Sequence, residues 1–116
     1  MDRPLLGKSL FAIVSTLVPG VAMTRAMLDE HLAYQYRLED EGISFAAGPL
    51  FGPEDERPSA GLIVIRADSF EAARTIAEAD PLHRDGVRSF EIRRWVINEG
   101  SVSVRLSFSQ RGMNLA

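Results

Sequence analysis

Two histidines, His31 and His83, are the side chains of this sequence best suited to move protons near neutral pH. The spacing of Met27, His31, Tyr34 and Leu38 predicts that they share one stripe of a helix, so that His31 points where the apolar residues point. His31 is therefore a candidate general acid or base. The alternative is a core histidine that is hydrogen-bonded to a backbone carbonyl.

Asp80 is the second candidate, because it ends another predicted helix on the face that carries Ala73 and Ala77. The helix dipole disfavours a carboxylate at this end, so Asp80 needs a compensating partner. An imidazole supplies one, and in a His31–Asp80 pair the carboxylate would orient the ring as in a catalytic triad. The alternative is that Asp80 only caps the segment that follows, residues 81–85.

The composition excludes several other kinds of site. The sequence has no cysteine, which excludes a disulfide scaffold, a thiolate metal site and a cysteine nucleophile. Two histidines are too few for a multi-histidine metal site, and we expect no metal and no cofactor. No serine stands in a recognisable nucleophile elbow, which favours proton transfer over acyl chemistry. His83 lies in a polar loop, either solvated or at the mouth of a pocket near Asp80.

The charge and hydropathy patterns argue against nucleic-acid and membrane partners. The net charge is −3, with 13 basic and 16 acidic residues, so nothing indicates a nucleic-acid binder. No apolar run approaches the roughly 20 residues that span a bilayer. We therefore expect a cytoplasmic protein without membrane contact. Every basic residue except Lys8 is an arginine, which reflects either genome composition or the binding of a carboxylate, for which Arg94 is the candidate.

The elements that must position these residues follow from the hydrophobic periodicity. It predicts strands over 8–16, 43–51, 60–66 and 87–97, helices over 22–41 and 70–79, a fifth strand over 101–108 with one covered face, and a loose tail over 109–116. The order β-α-β-β-α-β predicts an α+β, ferredoxin-like fold, in which an antiparallel sheet carries both helices on one face, plus an extra C-terminal strand.

The sheet face opposite the helices is predicted to be apolar and uncovered. Strand 8–16 and residues 62–65 carry apolar side chains on both faces, and such a face usually marks an interface. A second copy packed sheet to sheet is the simplest cover, which makes the protein a homodimer. A ligand or another partner is the alternative.

The residues resemble the YciI-like (YCII-related) family over positions 10–96. The matching stretches are His31 with Tyr34 in the first helix, residues 41–43 leading into the AAGPL stretch at 46–50, residues 69–73, the Asp80-Pro81 step within 79–82, and Gly86-Val87. The resemblance implies a dimeric α+β barrel, similar in fold to muconolactone isomerases. On this basis we delimit a family domain at 8–97 and a C-terminal extension at 98–116.

The resemblance also implies an active site on His31 and Asp80, with Tyr34, Gly48, Pro49, His83 and Arg94 as candidate substrate-binding residues. One branch of the family is associated with dehydrochlorination of a chlorinated hydroxyquinol in aromatic degradation. We expect a small cofactor-independent isomerase or lyase, in which His31 moves a proton on a small cyclic or unsaturated organic acid. A non-catalytic small-molecule-binding or interaction domain, with a structural His31–Asp80 pair, is the alternative; monooxygenase-like chemistry is a third reading.

Overall fold

The computed structural model describes residues 4–109 and the backbone of residues 113–115. Its elements are β1 (Lys8–Leu17), α1 (Arg25–Asp40), β2 (Ser44–Leu50), β3 (Ala60–Ile65), α2 (Phe70–Glu78), α3 (Pro81–Arg84), β4 (Arg88–Ile97), β5 (Val104–Leu106) and β6 (Met113–Leu115). The first four strands of the sequence form one antiparallel sheet in the order β2-β3-β1-β4. The predicted α+β fold is thereby confirmed.

The core lies between this sheet and the helices. In β1 the side chains alternate, so that Phe11 and Ile13 point toward the helices. Ile13 is paired with Ile63 of β3 and with Ile92 of β4, and the cluster is completed by Ala73 of α2 together with neighbouring apolar residues. On the same face, α1 lies against Ser15 and Ile63 across a cavity, so both long helices are on one side of the sheet.

The helix ends are set by capping side chains. The prediction began the first helix near residue 22, but α1 begins at Arg25 because the Thr24 hydroxyl accepts a hydrogen bond from the Met27 N–H at 3.1 Å. Gly42 follows the helix with a φ of 75°, which only glycine adopts without strain. Ser69 caps α2 in the same way, by accepting from the Ala72 N–H at 3.0 Å.

The C-terminal region contains the predicted further strand in a shorter form. Only Val104–Leu106 is a strand, and it pairs with Met113–Leu115 in a separate two-stranded sheet. Within the single chain Val104 and Leu106 are exposed, so the described residues do not supply the expected cover; alternation defines which residues share a face but not what covers it. The expectation of a loose tail is wrong for 113–115, and residues 110–112 and 116 lie outside the described residues.

In the part of the chain that the structure describes, no helix has both the length and the apolar character needed to cross a membrane.

Replacement of Ser69 by alanine tests the capping of α2, the helix that leads into Asp80. We expect Ser69→Ala to lower the free energy of unfolding by about 1 kcal/mol, because the Ala72 N–H loses its acceptor. Urea denaturation measures this change. Ser89→Ala, at an exposed position of β4, is the control, and equal stability of the two variants would contradict the capping role.

Candidate functional site

Asp80 is a buried carboxylate that joins three helices. It follows α2, is 1% exposed, and caps α3 by accepting a hydrogen bond from the Leu82 N–H at 3.0 Å. Two side chains of α1 also donate to it: the His31 Nδ1–H at 2.7 and 2.9 Å to its two oxygens, and the Gln35 amide at 3.0 Å. Asp80 therefore caps the following helix and contacts His31 at the same time.

These contacts keep the carboxylate ionised. Burial on its own would raise the pKa of Asp80, but the hydrogen bond and charge of His31, the Leu82 N–H and the charge of His83 outweigh it and hold the pKa below its ordinary value. An ionised carboxylate only accepts hydrogen bonds, so Nδ1 of His31 carries the hydrogen. The neutral ring then has its lone pair on Nε2, the nitrogen that catalysis would use.

His31 lines a cavity of about 420 Å³ between α1 and the sheet. This volume suits a small organic ligand. Gly48 and Pro49, two of the predicted substrate-binding residues, contribute to its wall from β2. Its other polar lining includes Ser15, Gln35 and Arg88. The cavity therefore brings one oriented imidazole together with a hydroxyl, an amide and a cation.

Arg88 is the cation of this cavity. It is half-buried at the start of β4, and the only hydrogen bond of its guanidinium among residues 4–109 is from Nη1 to the Ser15 carbonyl, at 3.4 Å. No carboxylate in this part of the chain lies within salt-bridge distance of it. Burial lowers the pKa of Arg88, with the charge of Asp80 opposing this change. A desolvated guanidinium without a counter-ion suits an anionic ligand.

His83 is held in a different way from His31. Its Nδ1–H donates to the Ala77 carbonyl at 2.7 Å, and its Nε2 lies 2.6 Å from the Ser15 hydroxyl. Burial lowers the pKa of His83; the Ala77 bond and the charge of Asp80 oppose this change, and the charges of His31 and Arg88 add to it. His83 therefore lies beneath the cavity wall as a neutral ring, and not in solvent.

Besides His83, two further predicted substrate-binding residues lie outside the lining of the cavity. Tyr34 is buried, and its hydroxyl donates to the Ile76 carbonyl at 2.6 Å, which ties α1 to α2. Burial, followed by the charge of Asp80, raises its pKa. Arg94 is exposed on β4. In place of Arg94, the arginine that the structure brings to the cavity is Arg88.

Sequence reasoning missed Ser15, Gln35 and Arg88. Ser15 carried a usable signal, because it follows Phe11 and Ile13 at the period of two that marks one face of a strand. A polar residue at a core-facing position calls for a partner. Within residues 4–109, no group of three or more histidine, aspartate or glutamate side chains is arranged to hold a metal ion.

The environment of His83 predicts a pH dependence of stability. Because folding lowers its pKa from the ordinary value of about 6.5, the unfolded chain binds more protons as the pH falls, and the free energy of unfolding decreases. The pKa of Asp80 is also lowered by folding, but its contribution is lost only at more acidic pH, below about 4. Between about pH 7 and pH 5, His83 therefore changes the free energy of unfolding while Asp80 does not.

We expect His83→Gln to show a smaller loss of stability between about pH 7 and pH 5 than the unsubstituted protein. Chemical denaturation at the two pH values measures this difference. The exposed substitution Glu30→Gln serves as the control. If His83→Gln loses as much stability as the unsubstituted protein, the buried neutral state of His83 is contradicted.

Comparison with known proteins shows the family of this chain. The model of the YCII-related domain matches residues 9–96. The chain is 33% identical over 76 residues to the uncharacterized protein YjpA of Bacillus subtilis (strain 168), covering 66% of this chain and 88% of YjpA.

Among solved structures, the chain is similar in fold to the 5-chloro-2-hydroxyhydroquinone dehydrochlorinase TftG from Burkholderia phenoliruptrix AC1100, determined in complex with 2,5-dihydroxybenzoquinone. The TM-score is 0.55 and the sequence identity 23%, with 74% of this chain and 92% of that chain covered. With the family model matching most of its length, the chain belongs to the YCII-related domain family.

Proposed function

We propose that the protein is an enzyme that transfers a proton on a small cyclic or unsaturated organic acid, with His31 as the base. The observation that carries this proposal is the bond between His31 Nδ1 and the buried, ionised Asp80, on the wall of a cavity. This bond fixes the tautomer and leaves Nε2 to act on a ligand. Asp80 then stabilises the imidazolium that forms.

The same geometry supports two reaction classes. Isomerisation follows if Nε2 of His31 takes a proton from one carbon of the substrate, the C–H electron pair moves into the carbon framework, and His31 returns the proton to another carbon. Elimination from a chlorinated hydroxyquinol follows if His31 moves a hydroxyl proton to the ring carbon that bears chlorine, which gives the keto tautomer. A second hydroxyl then loses its proton, its O–H electron pair forms a C=O bond, the ring double bond shifts and chloride leaves, so that one proton and one chloride are lost in total. The fold likeness to a dehydrochlorinase supports the second class.

Arg88 gives the substrate its charge preference in this proposal. Its guanidinium lines the cavity and has no carboxylate partner among residues 4–109. An anionic oxygen of the substrate would satisfy it, and a charge-assisted bond of this kind adds about 1.5–3 kcal/mol. The ligand would then lie with its anionic group at Arg88 and its reacting carbon at His31.

Chloride release from 5-chloro-2-hydroxyhydroquinone tests the proposal. We expect the unsubstituted protein to release chloride and His31→Gln to lower kcat by about 100-fold or more, the usual contribution of a general base. Asp80→Asn lowers kcat as well, because the ring loses its charged partner. Glu30→Gln, beside His31 on the exposed side of α1, is the matched control and keeps full activity. Unchanged turnover in His31→Gln would refute the proposed role.

We also propose that the sheet face opposite the helices forms the interface of a homodimer. Val14 of β1 is paired with Leu62 of β3, and both point away from the core cluster. Trp95 of β4 lies on the same face with 44% of its surface exposed. Burial of such a patch against a second copy would remove apolar surface from water.

Light scattering in solution tests the dimer. We expect a mass of twice 12.8 kDa at micromolar concentration, and a shift toward the single-chain mass for Trp95→Glu, which places a charge in the interface. Phe70→Glu changes an aromatic residue of similar exposure, 52%, at the start of α2 and keeps the dimer mass. A single-chain mass for the unsubstituted protein would contradict the proposed interface.

A further inference from the structure

We propose that Ser15 and His83 form a second proton-accepting pair in the cavity, which binds and deprotonates a hydroxyl group of an enolic or phenolic substrate. This inference rests on the proposed function, because it concerns the substrate of the same cavity. It adds the chemical class of that substrate: a ring or chain that carries an acidic hydroxyl in addition to the carbon on which His31 acts.

The two hydrogen bonds of His83 determine which atoms of the pair donate and which accept. The Ala77 carbonyl only accepts, so the bond of 2.7 Å places the ring hydrogen on Nδ1. The neutral ring then accepts at Nε2, and the hydroxyl of Ser15, 2.6 Å away, donates its hydrogen to it. Ser15 is therefore left with acceptor capacity only, and a ligand that meets it must donate a hydrogen.

The position of Ser15 allows a ligand in the cavity to donate a hydrogen bond to its hydroxyl oxygen. It is 2% exposed on the core-facing side of β1, yet it contributes to the wall of the cavity that His31 lines. A buried hydroxyl and a buried imidazole are costly compared with an apolar pair of similar volume. Phe90 packs against the ring of His83 with a centroid separation of 4.7 Å, which holds the ring in place. The pair is thus rigid and positioned at the cavity.

A hydroxyl proton has a path to His83, and a cation lies near the oxygen that would lose it. As the substrate hydroxyl gives its proton to Ser15 Oγ, the hydrogen of Ser15 moves to His83 Nε2, and the substrate keeps the electron pair as an oxyanion. Arg88, whose Nη1 lies 3.4 Å from the Ser15 carbonyl, is the nearby cation for that oxyanion. Burial lowers the pKa of His83, and the charges of His31 and Arg88 add to this; the Ala77 bond and the charge of Asp80 favour the imidazolium.

The compounds 4-nitrophenol and 4-nitroanisole test the inference, because in 4-nitroanisole a methyl group replaces the hydrogen that 4-nitrophenol can donate. Calorimetry measures their binding, and visible absorbance reports whether bound 4-nitrophenol is ionised. We expect the protein to prefer 4-nitrophenol by about tenfold or more, as one charge-assisted hydrogen bond implies. The bound probe should absorb as nitrophenolate at a pH where the free probe is mostly un-ionised.

Ser15→Ala should lose most of this preference, and His83→Gln should lose the nitrophenolate signal, since His83 acts through Ser15 and takes up the proton. Thr16→Ala, the neighbouring exposed position on β1, keeps both. A purely structural pair would lower stability in the variants without changing the preference. An unchanged preference in Ser15→Ala would overturn the inference.

Two further results are decisive without any substitution. Equal affinity of the unsubstituted protein for the two compounds, or no binding of 4-nitrophenol, also overturns the inference, so it does not depend on the folding of Ser15→Ala. The probes require no turnover by His31. A lost preference in Ser15→Ala together with full chloride release in His31→Gln would therefore refute the proposed function alone.

Discussion

The buried carboxylate of Asp80 is the constraint on which the site depends. A carboxylate with 1% exposure stays ionised only if its oxygens are satisfied. The partners come from two directions, with His31 and Gln35 donating from α1 and the Leu82 N–H donating from α3. Because these groups must converge on one side chain, the position of α1 is tied to the junction of α2 and α3, and the cavity beside His31 follows from that position.

The two histidines show how one arrangement yields two chemical environments. Each ring donates a hydrogen bond from Nδ1, so that Nε2 is the nitrogen with the lone pair when the ring is neutral. For His31 that acceptor is a charged carboxylate, and for His83 it is a neutral carbonyl. A carboxylate stabilises the imidazolium that forms in a reaction, whereas burial disfavours the charge on His83. Under the proposed function, the two rings therefore take protons from different groups of one substrate.

Much of the fold and part of the site could be predicted from the sequence. Helical spacing placed His31 on the inward stripe, and the unfavourable position of Asp80 at a helix end indicated that it needed a partner; the structure brings the two within hydrogen-bond distance. These inferences worked because each depends on one helix at a time. The further C-terminal strand was predicted from alternation, but alternation does not specify its partner, which is Met113–Leu115.

The remaining site residues depend on how strands align. Ser15 faces Phe90 of β4 in the register, and Arg88 faces Leu17 on the same side of the sheet. Ser15, His83 and Arg88 therefore come together only through the register between β1 and β4 and the path of α3. Neither of these can be predicted from a local sequence pattern. Arg94 illustrates the same limit, since it lies six residues further along β4 and is exposed.

Everything proposed for the site requires that Asp80 holds His31 with Nδ1 protonated and Nε2 available to a ligand. Nitrogen NMR of the labelled imidazole distinguishes the two tautomers, because the two ring nitrogens have separate signals. We expect neutral His31 to carry its hydrogen on Nδ1, and Asp80→Asn to weaken this preference. A neutral His31 with its hydrogen on Nε2, or a tautomer that does not respond to Asp80→Asn, would show that Asp80 does not orient the ring.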